Sequence, residues 1–290
     1  MSVSVKSTIT KCVLISATVL FGCNGGTMNE KRLTFTTLDG VTESAWEKLS
    51  EQRIYFGHQS VGFNIIQGIN GIMKENPQIR LKVIETNDPA DMNKPIFAHS
   101  SIGENTYLQT KIDDFASFME KGIGEKADIT FFKLCFADII GTTDVNRIFE
   151  AYKNTMSHLK KEYPQTTFVH VTVPLLRTKI TFKNWIKRAL GKKDIWGLDG
   201  NIKRNEFNNL LRKEYKGEDP IFDLAIIEST YPDGKRSSFT VGGKTYDSLV
   251  PEYTHDGGHL NERGRKIVAE QLLIFLANLS QQTQQTRPTQ

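Results

Sequence analysis

Short apolar runs alternate with helix-like periodicities along most of the chain. Residues 54–56 form a compact apolar run closed by Gly57, the pattern of a short strand. Phe63, Ile65, Ile66, Ile69 and Ile72 then recur at helical spacing and predict one apolar helix face. Residues 81–86 alternate as a second strand, and 111–119 predict a short helix. Residues 128–136 form a largely apolar run that opens on Asp128 and carries Thr130 and Lys133, as expected of a strand buried on both faces. An amphipathic helix over 146–161 leads to a β-branched strand over 167–173, stopped by Pro174. A helix over 201–215, a last core strand over 221–227, a hairpin about Gly242-Gly243 and a closing helix over 262–279 complete the pattern. About five strands alternating with helices predict an α/β fold with a mostly parallel sheet covered on both faces. Ligands in such folds bind at the carboxyl ends of the strands.

The 290 residues are 38% apolar, enough for a sizeable buried core in one large domain or two small ones. The N-terminus narrows the picture. Lys6 and Lys11 precede an apolar run over 12–21, which ends in Leu20-Phe21-Gly22-Cys23. That run is shorter than a bilayer span and predicts a signal peptide over residues 1–22. A cysteine directly after Leu-x-Gly resembles the bacterial lipobox, which implies lipidation of Cys23. An ordinary signal peptide with an incidental cysteine is the other reading. In a Gram-negative host, Asn24, where Asp would signal inner-membrane retention, implies an outer-membrane lipoprotein facing the periplasm, with membrane contact through the acyl chains only.

Residues 23–45 read as a tether, 46–279 as the folded domain and 280–290 as a disordered tail rich in Gln and Thr. The formal charge of +4 falls to +2 once Lys6 and Lys11 leave, which is too weak a bias for a nucleic-acid partner. Cys135 is then the sole thiol outside the leader, and its apolar setting predicts a small buried hydrophobe. A basic stretch near 177–200, with Trp185 and Trp196 interleaved, reads as an insertion. It forms either a lid with affinity for anionic groups or a solvated helix over packed tryptophans.

The densest chemistry lies in Thr254-His255-Asp256-Gly257-Gly258-His259. Asp256 and His259 are three apart on a turn entering a helix. A carboxylate there can accept the imidazole Nδ1 proton and leave Nε2 as a base. Ser60, just after the first strand, is the nucleophile such a base would need, or else the cap of the helix that follows. The order Ser, Asp, His and the shared sheet edge favour the nucleophile. His58 could line the pocket or be a structural hydrogen-bonder. His255, His259, Asp256 and His58 are also the residue types of a zinc site, but the histidine pair lies across Gly257-Gly258, a poor ligand platform. Neither metal nor cofactor is expected.

These residues resemble the SGNH/GDSL hydrolase family over most of residues 50–279. Asp256-Gly257-Gly258-His259-Leu260-Asn261 followed by Gly264 looks like its last block. Arg204-Asn205-Glu206-Phe207-Asn208 looks like the helix before its last core strand. Ser60 in His58-Gln59-Ser60 stands where the family has Gly-Asp-Ser, and Ile102-Gly103-Glu104-Asn105-Thr106 resembles the second block. The resemblance implies a three-layer α/β/α sandwich and a serine esterase with Ser60, Asp256 and His259 as its triad. It further implies an oxyanion hole from the N–H groups of Ser60 and Gly103. The third block departs: Cys135-Phe136-Ala137-Asp138 replaces Gly-x-Asn-Asp, so Ala137 stands where the oxyanion-hole asparagine would be, with Asn105 or His58 as possible substitutes. The expected substrate is an ester-bearing glycan or small molecule of the cell envelope. A catalytically degenerate glycan-binding member of the fold, an acyltransferase and a metal-dependent hydrolase are the alternatives.

Overall fold

The computed structural model describes residues 34–178 and 197–286. The proposed leader with Cys23, and residues 179–196 of the basic stretch, lie outside the described residues.

Six parallel strands form one sheet in the order β2-β3-β1-β4-β5-β6. They are β1 (Arg53–His58), β2 (Val83–Glu85), β3 (Ile96–Ser101), β4 (Ile129–Phe132), β5 (Thr167–Val171) and β6 (Ile221–Phe222). One face carries α1 (Glu43–Ser50), α2 (Val61–Glu75) and α7 (Glu262–Thr286). The other carries α3 (Leu108–Phe118), α4 (Val145–Glu162) and α5 (Asp199–Tyr215). Alternation along the strands divides the core accordingly. Ile54, Phe56, Ile129 and Phe131 face the first set, and Tyr55 and Phe132 the second. This is the expected three-layer sandwich. A hairpin of β7 (Ser238–Val241) and β8 (Lys244–Asp247) stands apart from the sheet, and both turn glycines, Gly242 and Gly243, take positive φ. Among the described residues no helix is long and apolar enough to cross a membrane.

Among the differences from expectation, four change the outline of the fold. β3 is an additional strand. Its apolar pattern is broken by His99 and Ser100, both buried and paired across to β1: Ser100 Oγ lies 2.7 Å from Tyr55 Oη, and His99 Nδ1 lies 3.1 Å from His58 Nε2. The run 221–227 divides after two strand residues. The Asp223 carboxylate accepts the Ile226 N–H and starts α6 (Leu224–Glu228), while Arg212 grips it with Nε at 2.6 Å and Nη2 at 2.8 Å. The tether ends earlier than residue 45, because Phe35, Leu38 and Val41 pack on the core and Gln271 Nε2 donates to Thr36 O at 2.8 Å. Thr42 then caps α1, accepting the Ala45 N–H. At the other end α7 continues through the proposed tail to Thr286, with Ser280 buried and Gln281 Nε2 donating to Thr42 Oγ1.

The helix containing Arg204 works through its polar ladder. On α5, Asn201, Asn205 and Asn208 each clamp both the N–H and the C=O of one residue, namely Leu176, Asp247 and Val173. Arg204 Nε donates to Phe136 O at 2.8 Å. These clamps pair the backbone groups of segments that leave the sheet and would otherwise be buried without partners. In doing so they fix the loops after β4 and β5 at the edge where the site forms.

Candidate functional site

Ser60 follows β1 directly and has φ 52° and ψ −107°, a left-handed conformation that side chains rarely adopt. Such torsions persist where surrounding structure over-determines them, and they gather at functional positions. Its hydroxyl does not cap α2. It lies 2.7 Å from His259 Nε2, across 199 residues of sequence. On the far side of the ring, His259 Nδ1 lies 2.6 Å from Asp256 Oδ2. The Ser60 N–H makes no hydrogen bond among the described residues.

The Asp256 turn is tightly built. Its Oδ1 accepts the N–H groups of Gly258 and His259, both at 2.8 Å. Desolvation pushes the Asp256 carboxyl upward. The Gly258 N–H, the His259 ring and the His259 N–H outweigh it and hold the group well below the usual carboxylate range. Asp256 is therefore an anion at neutral pH and binds the Nδ1–H tautomer, which leaves the Nε2 lone pair toward Ser60. The edge of the Phe136 ring packs on His259 with centroids 5.4 Å apart. Two distant contacts set the turn in place: Arg177 N–H donates to Gly257 O at 2.8 Å, and Leu260 N–H donates to Asn64 Oδ1 at 3.0 Å. Asn64 lies one helical turn beyond Ser60 on α2, so one helix positions both ends of the hydrogen-bonded chain. The sequence signal for it is an amide within an otherwise apolar helix face.

The remaining predicted residues divide. Gly103 does not offer its N–H to a substrate, because that group donates to Asp114 Oδ2 at 2.7 Å. Among the described residues His58 makes no hydrogen bond to Ser60 Oγ, and its Nε2 pairs with His99 Nδ1 instead. Its ring points into the layer beneath α2, fully buried against Phe56, Phe63 and His99. It sits so close to the helix that a Cβ at position 62 would fall 2.4 Å from it, which is why Gly62 is required there. Its Nδ1 has no partner among the described residues. Asn105 is exposed on the loop after β3, and its Oδ1 accepts Lys111 Nζ at 2.8 Å. His255 is exposed, and among the described residues no group of three or more His, Cys, Asp or Glu side chains is arranged to hold a metal ion. Cys135 is buried, with its sulfur 3.3 Å from Lys133 Nζ.

Sequence reasoning missed Lys111 and Asp138. Both side chains are fully buried and 2.6 Å apart. Asp138 also accepts the N–H groups of Cys135 and Thr106, and so joins the loop after β4 to the loop after β3. The retained aspartate of the third block was the available signal.

Buried histidines set an acid limit on this layer. Burial lowers His58 to about 2, with Lys133 and His99 adding to the effect, and burial also lowers His99 and His170. The unfolded chain therefore binds more protons than the folded one once pH drops below the free histidine value of about 6.5. Each such group contributes stability that is complete above that pH and is lost below it, at up to about 1.4 kcal/mol per pH unit. Burial raises Glu228, which acts with the opposite sign and offsets part of the loss. The urea midpoint should accordingly be lower at pH 5 than at pH 7, and an equal or higher midpoint at pH 5 would contradict the burial of neutral rings.

The model of the family described as GDSL-like Lipase/Acylhydrolase matches residues 46–272. No curated protein matches the sequence significantly. Solved structures that resemble the chain include a GDSL-like lipase from Bacteroides thetaiotaomicron, at 12% identity and TM-score 0.41, covering 86% of this chain and 94% of that one. A carbohydrate esterase family 3 protein from Talaromyces cellulolyticus has 15% identity and TM-score 0.44, covering 79% and 97%. The periplasmic domain of a lipopolysaccharide acetyltransferase from Salmonella ser. Paratyphi A has 12% identity and TM-score 0.42, covering 77% and 83%. At these scores the likenesses are distant, and what each of those proteins acts on is a property of that protein.

Proposed function

The chain belongs to the GDSL-like Lipase/Acylhydrolase family, and on that premise we propose that it is a serine-dependent ester hydrolase with Ser60, His259 and Asp256 as its triad. The observation carrying the reading is the continuous chain from Ser60 Oγ through His259 to Asp256, with contacts of 2.7 and 2.6 Å. As His259 Nε2 takes its proton, Ser60 Oγ attacks the ester carbonyl carbon. Asp256 steadies the imidazolium. The tetrahedral intermediate collapses as His259 returns the proton to the leaving alcohol, and Ser60 is left acylated. Water, deprotonated by His259, attacks that acyl-enzyme, frees the acid and restores the hydroxyl.

The substrate we propose is an acetylated or otherwise acylated glycan of the cell envelope, or one imported through it. What supports this is the address proposed from the lipobox-like Leu20-Phe21-Gly22-Cys23, which implies a lipid anchor, and from Asn24, which implies the outer membrane. One observation favours a second reading, a glycan-binding member without turnover: Ala137 has no side-chain donor and the Gly103 N–H is already bonded to Asp114.

A fluorophosphonate probe separates the two, because it needs an activated serine rather than a particular substrate. Wild type should be labelled, and Ser60→Ala and His259→Ala should not. Folded wild type that takes no label would overturn the hydrolase reading in favour of the binding protein.

A further inference from the structure

We propose that Asn105 is a catalytic residue of this site, holding the substrate oxyanion with its side-chain amide and its backbone N–H. The inference rests on the hydrolase reading and supplies the donors that Ala137 and Gly103 do not.

Elimination along one loop is the first ground. From Ile102 to Tyr107, five of six N–H groups are bonded: Ile102 to His58 O, Gly103 to Asp114, Glu104 to Thr110 Oγ1, Thr106 to Asp138 and Tyr107 to Glu104 O. The Asn105 N–H has no partner among the described residues, and neither has its amide nitrogen. An exposed donor of this kind costs nothing while solvated and becomes effective when substrate displaces water.

The second ground is orientation. Lys111 is fully buried and carries only donors, so it can hold only the oxygen end of the Asn105 amide, which it does at 2.8 Å. Asp138 fixes the ammonium in turn, at 2.6 and 2.9 Å. The amide cannot flip without presenting N–H to an ammonium. Its NH2 group must therefore face away from Lys111, and the cation on the oxygen makes those hydrogens better donors.

Placement is the third ground. β3 and β4 flank β1 in the sheet, and Ser60 stands at the carboxyl end of β1. Gln59 Nε2 donates to Gly103 O at 2.9 Å, so the loop of Asn105 runs beside the residue before the nucleophile. The Thr106 and Lys111 bonds to Asp138 draw the loops after β3 and β4 together over that end.

The test is p-nitrophenyl acetate hydrolysis by wild type, Asn105→Ala and Asn105→Asp, with fluorophosphonate labelling and thermal unfolding alongside. Loss of one oxyanion donor lowers kcat by roughly 10²–10³, so Asn105→Ala should fall by that factor with KM nearly unchanged and Tm lowered only by the lost bond to Lys111. Asn105→Asp keeps the shape and the bond to Lys111 but turns an acceptor toward the oxyanion, and should fall at least as far. If wild type turns over and both variants stay within about threefold of its kcat, the inference fails while the triad reading stands. If wild type neither turns over nor takes the probe, the parent reading fails and this one goes with it.

Discussion

Ser60→Ala should lower kcat by roughly 10⁶, and His259→Ala by about as much, with the double variant falling no further. The reason is that, in the proposed mechanism, the two side chains perform one operation. A serine hydroxyl is a weak nucleophile until its proton has somewhere to go, and the acceptor 2.7 Å away is His259 Nε2. Removing either partner removes the proton transfer, so the second removal has nothing left to take. Asp256→Asn should cost less, roughly 10⁴, because the amide favours the wrong imidazole tautomer while leaving the ring in place. Steady-state turnover of p-nitrophenyl acetate reads all four proteins. A Ser60→Ala protein retaining a tenth of wild-type activity would rule out Ser60 as the nucleophile.

The largest expected effect on stability lies at Lys111. Its ammonium and the Asp138 carboxylate are both fully buried. Lys111→Met leaves the carboxylate without its counter-ion in a place water does not reach, at a cost of about 3–5 kcal/mol. Asp138 keeps the Cys135 and Thr106 N–H groups, which blunt the loss without replacing a cation. Urea unfolding of the variant against wild type measures it, and a loss below about 1 kcal/mol would mean the pair is not buried as described.

The contrast between these sites explains what could be read from the sequence. The hydrogen-bonded chain of Ser60, His259 and Asp256 was legible because Asp256 and His259 are local to one turn and Ser60 follows an unambiguous strand. Helix α2 was legible because its apolar residues keep a strict helical period. Strand β3 was not, since His99 and Ser100 are satisfied by His58 and Tyr55 on a neighbouring strand, and no local pattern shows that partnership. Asp223 hid in an apolar run, where its carboxylate turns strand into helix. Lys111 opens the short helix expected over 111–119, and nothing in that pattern shows Asp138, in the loop after β4, as its buried partner. The role assigned to Gly103 failed for the same reason, because its N–H is taken by Asp114, eleven residues away on α3.

The backbone of Ser60 has a consequence for the protein's evolution. Glycine meets no penalty at φ 52° and ψ −107°, whereas any residue with a Cβ is strained there, by about 1–3 kcal/mol. Ser60→Gly should therefore be the more thermostable protein and an inert one, which a melting curve and an activity assay check together. A lineage or a laboratory selection that rewards only folding would drift to glycine at position 60 and shed its chemistry without damage to the fold. A serine kept there across relatives would record continued selection for turnover.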